Sequence, residues 1–203
     1  MRRFFQAMNT LIVTGGIGSG KSEVCRILER IGYPVYDADE RMKALYDSDP
    51  QILPALEKAL GDSFRDAEGR LDRGKLAGVI FSDPEKLRAL EMTVHPYLFR
   101  DFRRWADSRS GVAENTVVLE SAVYCSSPCG DKPEGRILLV EAPQKLRLER
   151  ACRRDNAAKE TILARMASQS SGDIHPDAVI ENDGDLAELE EKVRKVMETI
   201  FND

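Results

Sequence analysis

LIVTGGIGSGKS occupies residues 11–22. Leu11, Ile12, Val13 and Thr14 form a short apolar, β-branched run, the pattern of a buried strand. The next eight residues match G-x-x-x-x-G-K-[ST] at every fixed position, with Gly15, Gly20, Lys21 and Ser22 in the required places. Gly15, Gly16, Gly18 and Gly20, with Ile17 and Ser19 among them, allow a tight turn whose backbone N–H groups converge on a phosphate. Beyond the turn, Val24, Ile27, Leu28 and Ile31 fall on one helical face, so a helix adds its positive N-terminal end. Strand before and helix after is the context this motif requires. Lys21 is expected to reach the β- and γ-phosphates, and the Ser22 hydroxyl to ligate Mg²⁺. Binding of a nucleoside triphosphate follows; the reaction does not. Glu23 suits the helix dipole but would repel a phosphate if turned inward. It is expected to face solvent and leave its N–H for phosphate.

Gly32-Tyr33-Pro34 stops the helix and Val35-Tyr36 opens a second short strand, giving a βαβ unit. From 40 to 109 the apolar residues recur at helical spacing, as at Leu53, Leu56 and Leu60 or Leu87, Leu90 and Val94. Pro96 is expected to bend or break the last of these helices. Strand signals return at 116–119, 137–140 and 178–180. Helical patterns cover 143–155, 159–169 and 186–201, and 126–133 is turn-rich. The fold class is therefore α/β, a three-layer αβα parallel sheet of the P-loop NTPase type. The expected division is a nucleotide-binding core at 1–39 and 111–203, a helical domain inserted at 40–110, and a lid at 145–172.

The whole composition fits this. The 203 residues are 42% apolar and 32% charged, enough for a real core. With 30 basic and 35 acidic residues the net charge is −5, which argues against a general nucleic-acid partner. No apolar run reaches the roughly 20 residues that span a bilayer, and MRRFFQAMN has no stretch of signal length. A cytoplasmic protein with no membrane partner is expected, a monomer or weak homo-oligomer. Cys25, Cys125, Cys129 and Cys152 include no C-x-x-C pair, so reduced thiols are a better reading than zinc.

The class of P-loop protein is narrowed by what is absent. Asn182-Asp183-Gly184-Asp185 has the Asn and Asp of a guanine reader, but Asp183 stands where its lysine belongs. The simpler reading is a turn with Asp185 capping the last helix. Leu119-Glu120-Ser121 is a weak imitation of an ATPase strand ending in Asp-Glu. A small-molecule kinase fits better, and needs an acceptor base, an acceptor-binding element and a basic lid. Between 145 and 165 lie Lys145, Arg147, Arg150, Arg153, Arg154, Lys159 and Arg165, a cluster that stands out in an acidic chain. Val35-Tyr36-Asp37-Ala38-Asp39 places two carboxylates at the carboxyl end of a strand, where ligands of open sheets bind. Either aspartate there can take the proton of an acceptor hydroxyl, hold a metal, or cap the next helix.

These residues resemble the dephospho-CoA kinase family over nearly the whole chain. The resemblance rests on Thr14 to Ser22, Asp37-Ala38-Asp39, Leu71-Asp72-Arg73 with Leu76 and Phe81, and Leu90-Glu91 with His95-Pro96. It extends through Arg150, Arg154-Asp155, Arg165 and Gln169 to Val179-Ile180-Glu181-Asn182 and Gly184. It implies transfer of the ATP γ-phosphoryl to the ribose 3′-hydroxyl of dephospho-CoA, with Mg²⁺, the last step of coenzyme A synthesis. It implies Asp39 as acceptor base and Asp37 as a supporting carboxylate near the metal. Lys21, Arg150 and Arg154 would serve the transferring phosphates, the last two from the lid. Asn182 would lie near the adenine, and Arg73, Lys75 and His95 on the substrate side. His95 before Pro96 reads equally well as a packed histidine. One departure is visible: Ser121-Ala122-Val123-Tyr124-Cys125 stands where the family usually has a Pro-Leu-Leu-Phe-Glu type segment. Two alternatives remain at this stage: another P-loop small-metabolite or nucleotide kinase, and a nucleotide-dependent regulator without catalysis.

Overall fold

The computed structural model describes residues 8–80, 83–109, 115–169 and 174–202. Five strands and eight helices occur among them, in the order β1 (Asn9–Thr14), α1 (Lys21–Arg30), β2 (Val35–Asp37), α2 (Ala38–Ser48), α3 (Ile52–Leu60), α4 (Arg73–Ile80), α5 (Pro84–Asp107), β3 (Thr116–Glu120), β4 (Arg136–Glu141), α6 (Gln144–Asp155), α7 (Lys159–Ser168), β5 (Ala178–Glu181) and α8 (Leu186–Met197).

The strands form one sheet in the order β2-β3-β1-β4-β5. β1 runs parallel to β3 and to β4, and β4 parallel to β5. Leu11, Ile12 and Val13 are all fully buried, so successive side chains on both faces of β1 are covered. One face packs on α1 and α8 through Val24, Ile27, Leu28, Leu189 and Val193. This is the expected α/β architecture. The βαβ unit read from the sequence differs in one respect: β3 lies between its two strands. The physical reason is burial. Val117, Val118 and Leu119 of β3 have no exposed surface, while the three-residue β2 is half-buried at Val35 and Asp37 and takes the edge. The swap sets Glu120 opposite Val13, beside the phosphate loop.

The chain divides into two compact units. The first runs to Tyr36 and resumes over Ala106–Ser126 and from Glu134 onward; it holds the sheet except for Asp37, together with α1, α6, α7 and α8. The second comprises Asp37–Trp105 and Ser127–Pro133. Its core is built on Ile52, Leu56, Phe64, Val94, Phe99 and Phe102. Pro96 does not break α5, which runs through it for 24 residues. Proline removes one helical hydrogen bond, at a cost near 3 kcal/mol. Burial of Val94, Leu98, Phe99 and Phe102 around it offsets that loss. The turn-rich stretch, left unplaced by sequence, joins this second unit. Arg103 grips both carboxylate oxygens of Asp131 at 2.9 and 2.8 Å, and Ser127 meets His95.

Candidate active site

The phosphate loop is shaped by its own turn and by side chains from later in the chain. Ser19 N–H donates to Gly16 O at 3.1 Å, closing the turn. Gly20 sits at φ +101°, left-handed backbone that favours glycine, and any Cβ there would strike the Asn182 amide. That amide donates to Ser19 O at 2.8 Å and is buried. Lys21 begins α1 and folds its Nζ back over the loop, donating to Gly15 O at 2.9 Å and Gly16 O at 3.2 Å. Ile17, at the apex, donates its N–H to Gln169 Oε1 at 2.8 Å, while its carbonyl accepts from Arg147 Nε at 3.0 Å. Ser22 Oγ donates to Glu120 Oε1 at 2.8 Å. Ser19 Oγ is buried with no hydrogen-bond partner among the described residues.

A cavity of about 610 Å³ opens over this loop, with Thr14, Gly15, Gly16, Ser19, Arg147 and Gln169 in its wall. A smaller hollow of about 290 Å³ adjoins Gly20, Glu23, Arg150, Asn182 and Asp185. Arg150 Nη1 donates to Asn182 O at 3.0 Å. Farther along α6, Asp155 accepts from Arg154 at 2.6 Å and from Arg165 at 2.7 Å. The Arg154 hydrogen bond, with that of Arg165, holds the Asp155 carboxyl down at about 2. Two guanidinium groups are thereby kept side by side on one carboxylate.

A family model described as dephospho-CoA kinase matches residues 10–188. The chain belongs to the dephospho-CoA kinase family. A dephospho-CoA kinase of Porphyromonas gingivalis is 41% identical over 162 residues, 80% of this chain and 78% of the relative. That of Chlorobaculum tepidum is 36% identical over 195 residues, 93% of each. Among solved structures, TT1252 from Thermus thermophilus aligns with a TM-score of 0.77 at 31% identity, covering 95% of this chain and 98% of that one. The dephospho-CoA kinase from Campylobacter jejuni shares the fold, with a TM-score of 0.54 at 22% identity over 96% of this chain and 98% of its own.

Gly15, Gly16, Gly18, Ser19, Gly20, Lys21, Ser22 and Asn182 come together at one loop. Glu23 corrects an expectation: its N–H is taken by Gly20 O at 3.0 Å, because the first turn of α1 tightens onto the loop carbonyl. Its carboxylate pairs with Arg26 along the helix. Asp37 is the N-cap of α2, accepting Glu40 N–H at 2.9 Å, and Asp39 is exposed in that helix's first turn. The carboxylate that meets Ser22 is Glu120, which the sequence suggested only as a weak strand-end acid. Arg73 donates to Lys43 O at 3.1 Å, and Lys75 to Asp62 at 3.1 Å, so both make local contacts in the second unit. Asp185 caps α8 by accepting Glu188 N–H, as its turn position predicts. Phe81, part of the family resemblance, lies outside the described residues.

His95 takes the packed alternative. Its ring is 6% exposed, tilts against Phe99, and holds Ser127 Oγ at 2.6 Å through Nδ1. Burial, with a smaller contribution from Lys132, pushes its pKa from 6.5 down to about 4. The unfolded chain therefore takes up this proton first, and stability falls as the pH drops from 6.5 toward about 4. The loss is at most about 3 kcal/mol. His95→Gln should flatten that part of the profile, read as the urea midpoint near pH 7 against the midpoint near the folded pKa. An equal acid loss in both proteins would show that His95 is not its source.

Proposed function

We propose that this chain transfers the γ-phosphoryl group of ATP to the ribose 3′-hydroxyl of dephospho-CoA, yielding coenzyme A and ADP. The observation that carries the reading is Lys21 held at the mouth of a complete phosphate loop, in a chain of this family. Loop amides and the start of α1 bind the β-phosphate, and Lys21 follows the charge that moves toward the leaving ADP oxygen. ATP phosphates lie in the large cavity, and the base lies toward Arg150 and Asn182. Arg154 and Arg165, gathered on Asp155, are the cations that the α6–α7 segment brings as a lid over the phosphates. Asp39 takes the proton of the acceptor hydroxyl, and Asp37 fixes the start of the helix that carries it. Arg73 and Lys75 serve the acceptor side.

Mg²⁺ fits the donors present. Ser22 Oγ is a hard oxygen donor, and the Glu120 carboxylate holds it at 2.8 Å. A magnesium ion held there would supply positive charge to offset that of the triphosphate. Ser22 would ligate directly and Glu120 would orient it. Glu120→Gln is then expected to raise the Mg²⁺ concentration for half-maximal rate about 10-fold or more. A magnesium titration at saturating substrates checks this, and an unchanged midpoint would remove Glu120 from the metal site.

Among the described residues no helix is long and apolar enough to cross a membrane. Among the described residues Cys25, Cys125, Cys129 and Cys152 form no disulfide, which supports a reducing, cytoplasmic setting. The deciding experiment is an acceptor screen, measuring ADP formation with dephospho-CoA against adenosine, AMP, shikimate and gluconate. Turnover with dephospho-CoA alone is expected. Strong turnover with another acceptor and none with dephospho-CoA would overturn the assignment.

A further inference from the structure

Ile17 is the non-glycine residue between Gly16 and Gly18, so each peptide at the loop apex adjoins a residue with wide backbone freedom. Both polar groups of its backbone are nevertheless held, and by one segment. Gln169, which follows the last turn of α7, accepts the N–H at 2.8 Å. Arg147, in the first turn of α6, donates to the carbonyl at 3.0 Å. Gln169 is itself anchored, its backbone N–H bonded to Arg165 O at 3.2 Å. Neither side-chain contact is required to close the loop, since the Ser19 to Gly16 bond already does so. Their effect is on orientation. The N–H belongs to the Gly16–Ile17 peptide and the carbonyl to the Ile17–Gly18 peptide; each adjoins a glycine, and a flip of either would turn a carbonyl oxygen toward the cavity where phosphate oxygens must lie.

We propose that Gln169 is a positioning residue for phosphoryl transfer, fixing the Gly16–Ile17 peptide while Arg147 fixes the Ile17–Gly18 peptide, so that neither apex carbonyl turns toward the γ-phosphate. This deepens the kinase reading and rests on it. Because Ile17 N–H requires an acceptor, it is Oε1 of Gln169 that faces the loop, from a residue that also lines the cavity.

Two substitutions separate orientation from fold. Gln169→Ala removes the acceptor and is expected to lower kcat by about 10- to 100-fold, because small misplacement of a reacting phosphate is costly. KM for the acceptor and the melting temperature should not change. Gln169→Glu keeps an acceptor for Ile17 N–H and should recover most of kcat. Its added charge beside the triphosphate should raise KM for ATP in a salt-dependent way. Calorimetry without any acceptor gives an independent readout: Gln169→Ala should bind a non-hydrolysable ATP analogue several-fold more weakly, with ADP unchanged. If dephospho-CoA is the wrong acceptor, the unsubstituted protein fails the acceptor screen while this nucleotide difference persists. The proposal is overturned if Gln169→Ala leaves kcat and analogue binding unchanged, or binds the analogue more tightly. It is equally overturned if Gln169→Glu is no better than Gln169→Ala.

Discussion

Lys21→Ala is expected to reduce kcat by about 10³-fold or more, the loss seen when a charge-stabilising donor leaves a phosphoryl- or acyl-transfer site. The structure gives the reason in atoms. Lys21 Nζ is held by the Gly15 and Gly16 carbonyls at 2.9 and 3.2 Å, so its charge is placed before nucleotide arrives. Alanine removes that charge without adding bulk, and the freed carbonyls lie at a cavity wall that water reaches. The fold should therefore survive: Leu11, Ile12 and Val13 on one side of the loop, and Val24, Ile27 and Leu28 on the other, remain buried. Lys21→Arg should not restore the rate, because a planar fork does not reproduce a compact ammonium at that point. Single-turnover ADP formation, with the melting temperature as control, reads the effect. A Lys21→Ala protein within tenfold of the parent rate would mean that the loop binds nucleotide without driving the transfer.

The loop was legible because its chemistry is local. Strand, glycine turn, lysine, serine and helix are consecutive, so geometry follows from spacing. Helices α2, α3 and α5 were legible for the same reason, since apolar residues at helical spacing need no distant partner to declare themselves. What escaped was set by tertiary pairing. Glu120 becomes a neighbour of Ser22 because β3 inserts between β1 and β2, an order that the short apolar runs do not specify. Gln169 reaches Ile17 across 152 positions, with no local pattern to announce it. Pro96 was misjudged for a related reason: local propensity favours a break, but the buried face of α5 outweighs one lost hydrogen bond. For His95 the local sequence does not choose between packing and substrate contact, and the neighbour that buries its ring, Ser127, comes from 32 positions away.

The aspartate pair is where position along a single turn of helix should separate stability from chemistry. Asp37 accepts Glu40 N–H at 2.9 Å and caps α2. Asp37→Ala should therefore destabilise the protein by about 1 kcal/mol, the usual cost of a lost cap. Asp39, two residues on, is exposed and makes no part of that cap. Asp39→Asn keeps its size and should leave the urea midpoint near the parent value. Its effect belongs to the reaction: asparagine cannot take the hydroxyl proton, so kcat is expected to fall by about 10²- to 10⁴-fold. Nucleotide affinity should be untouched, since the phosphate loop is built from other residues. The opposite pattern, with Asp39→Asn near full turnover and Asp37→Asn inactive but stable, would move the base to Asp37. The cap would then be only one of that residue's duties.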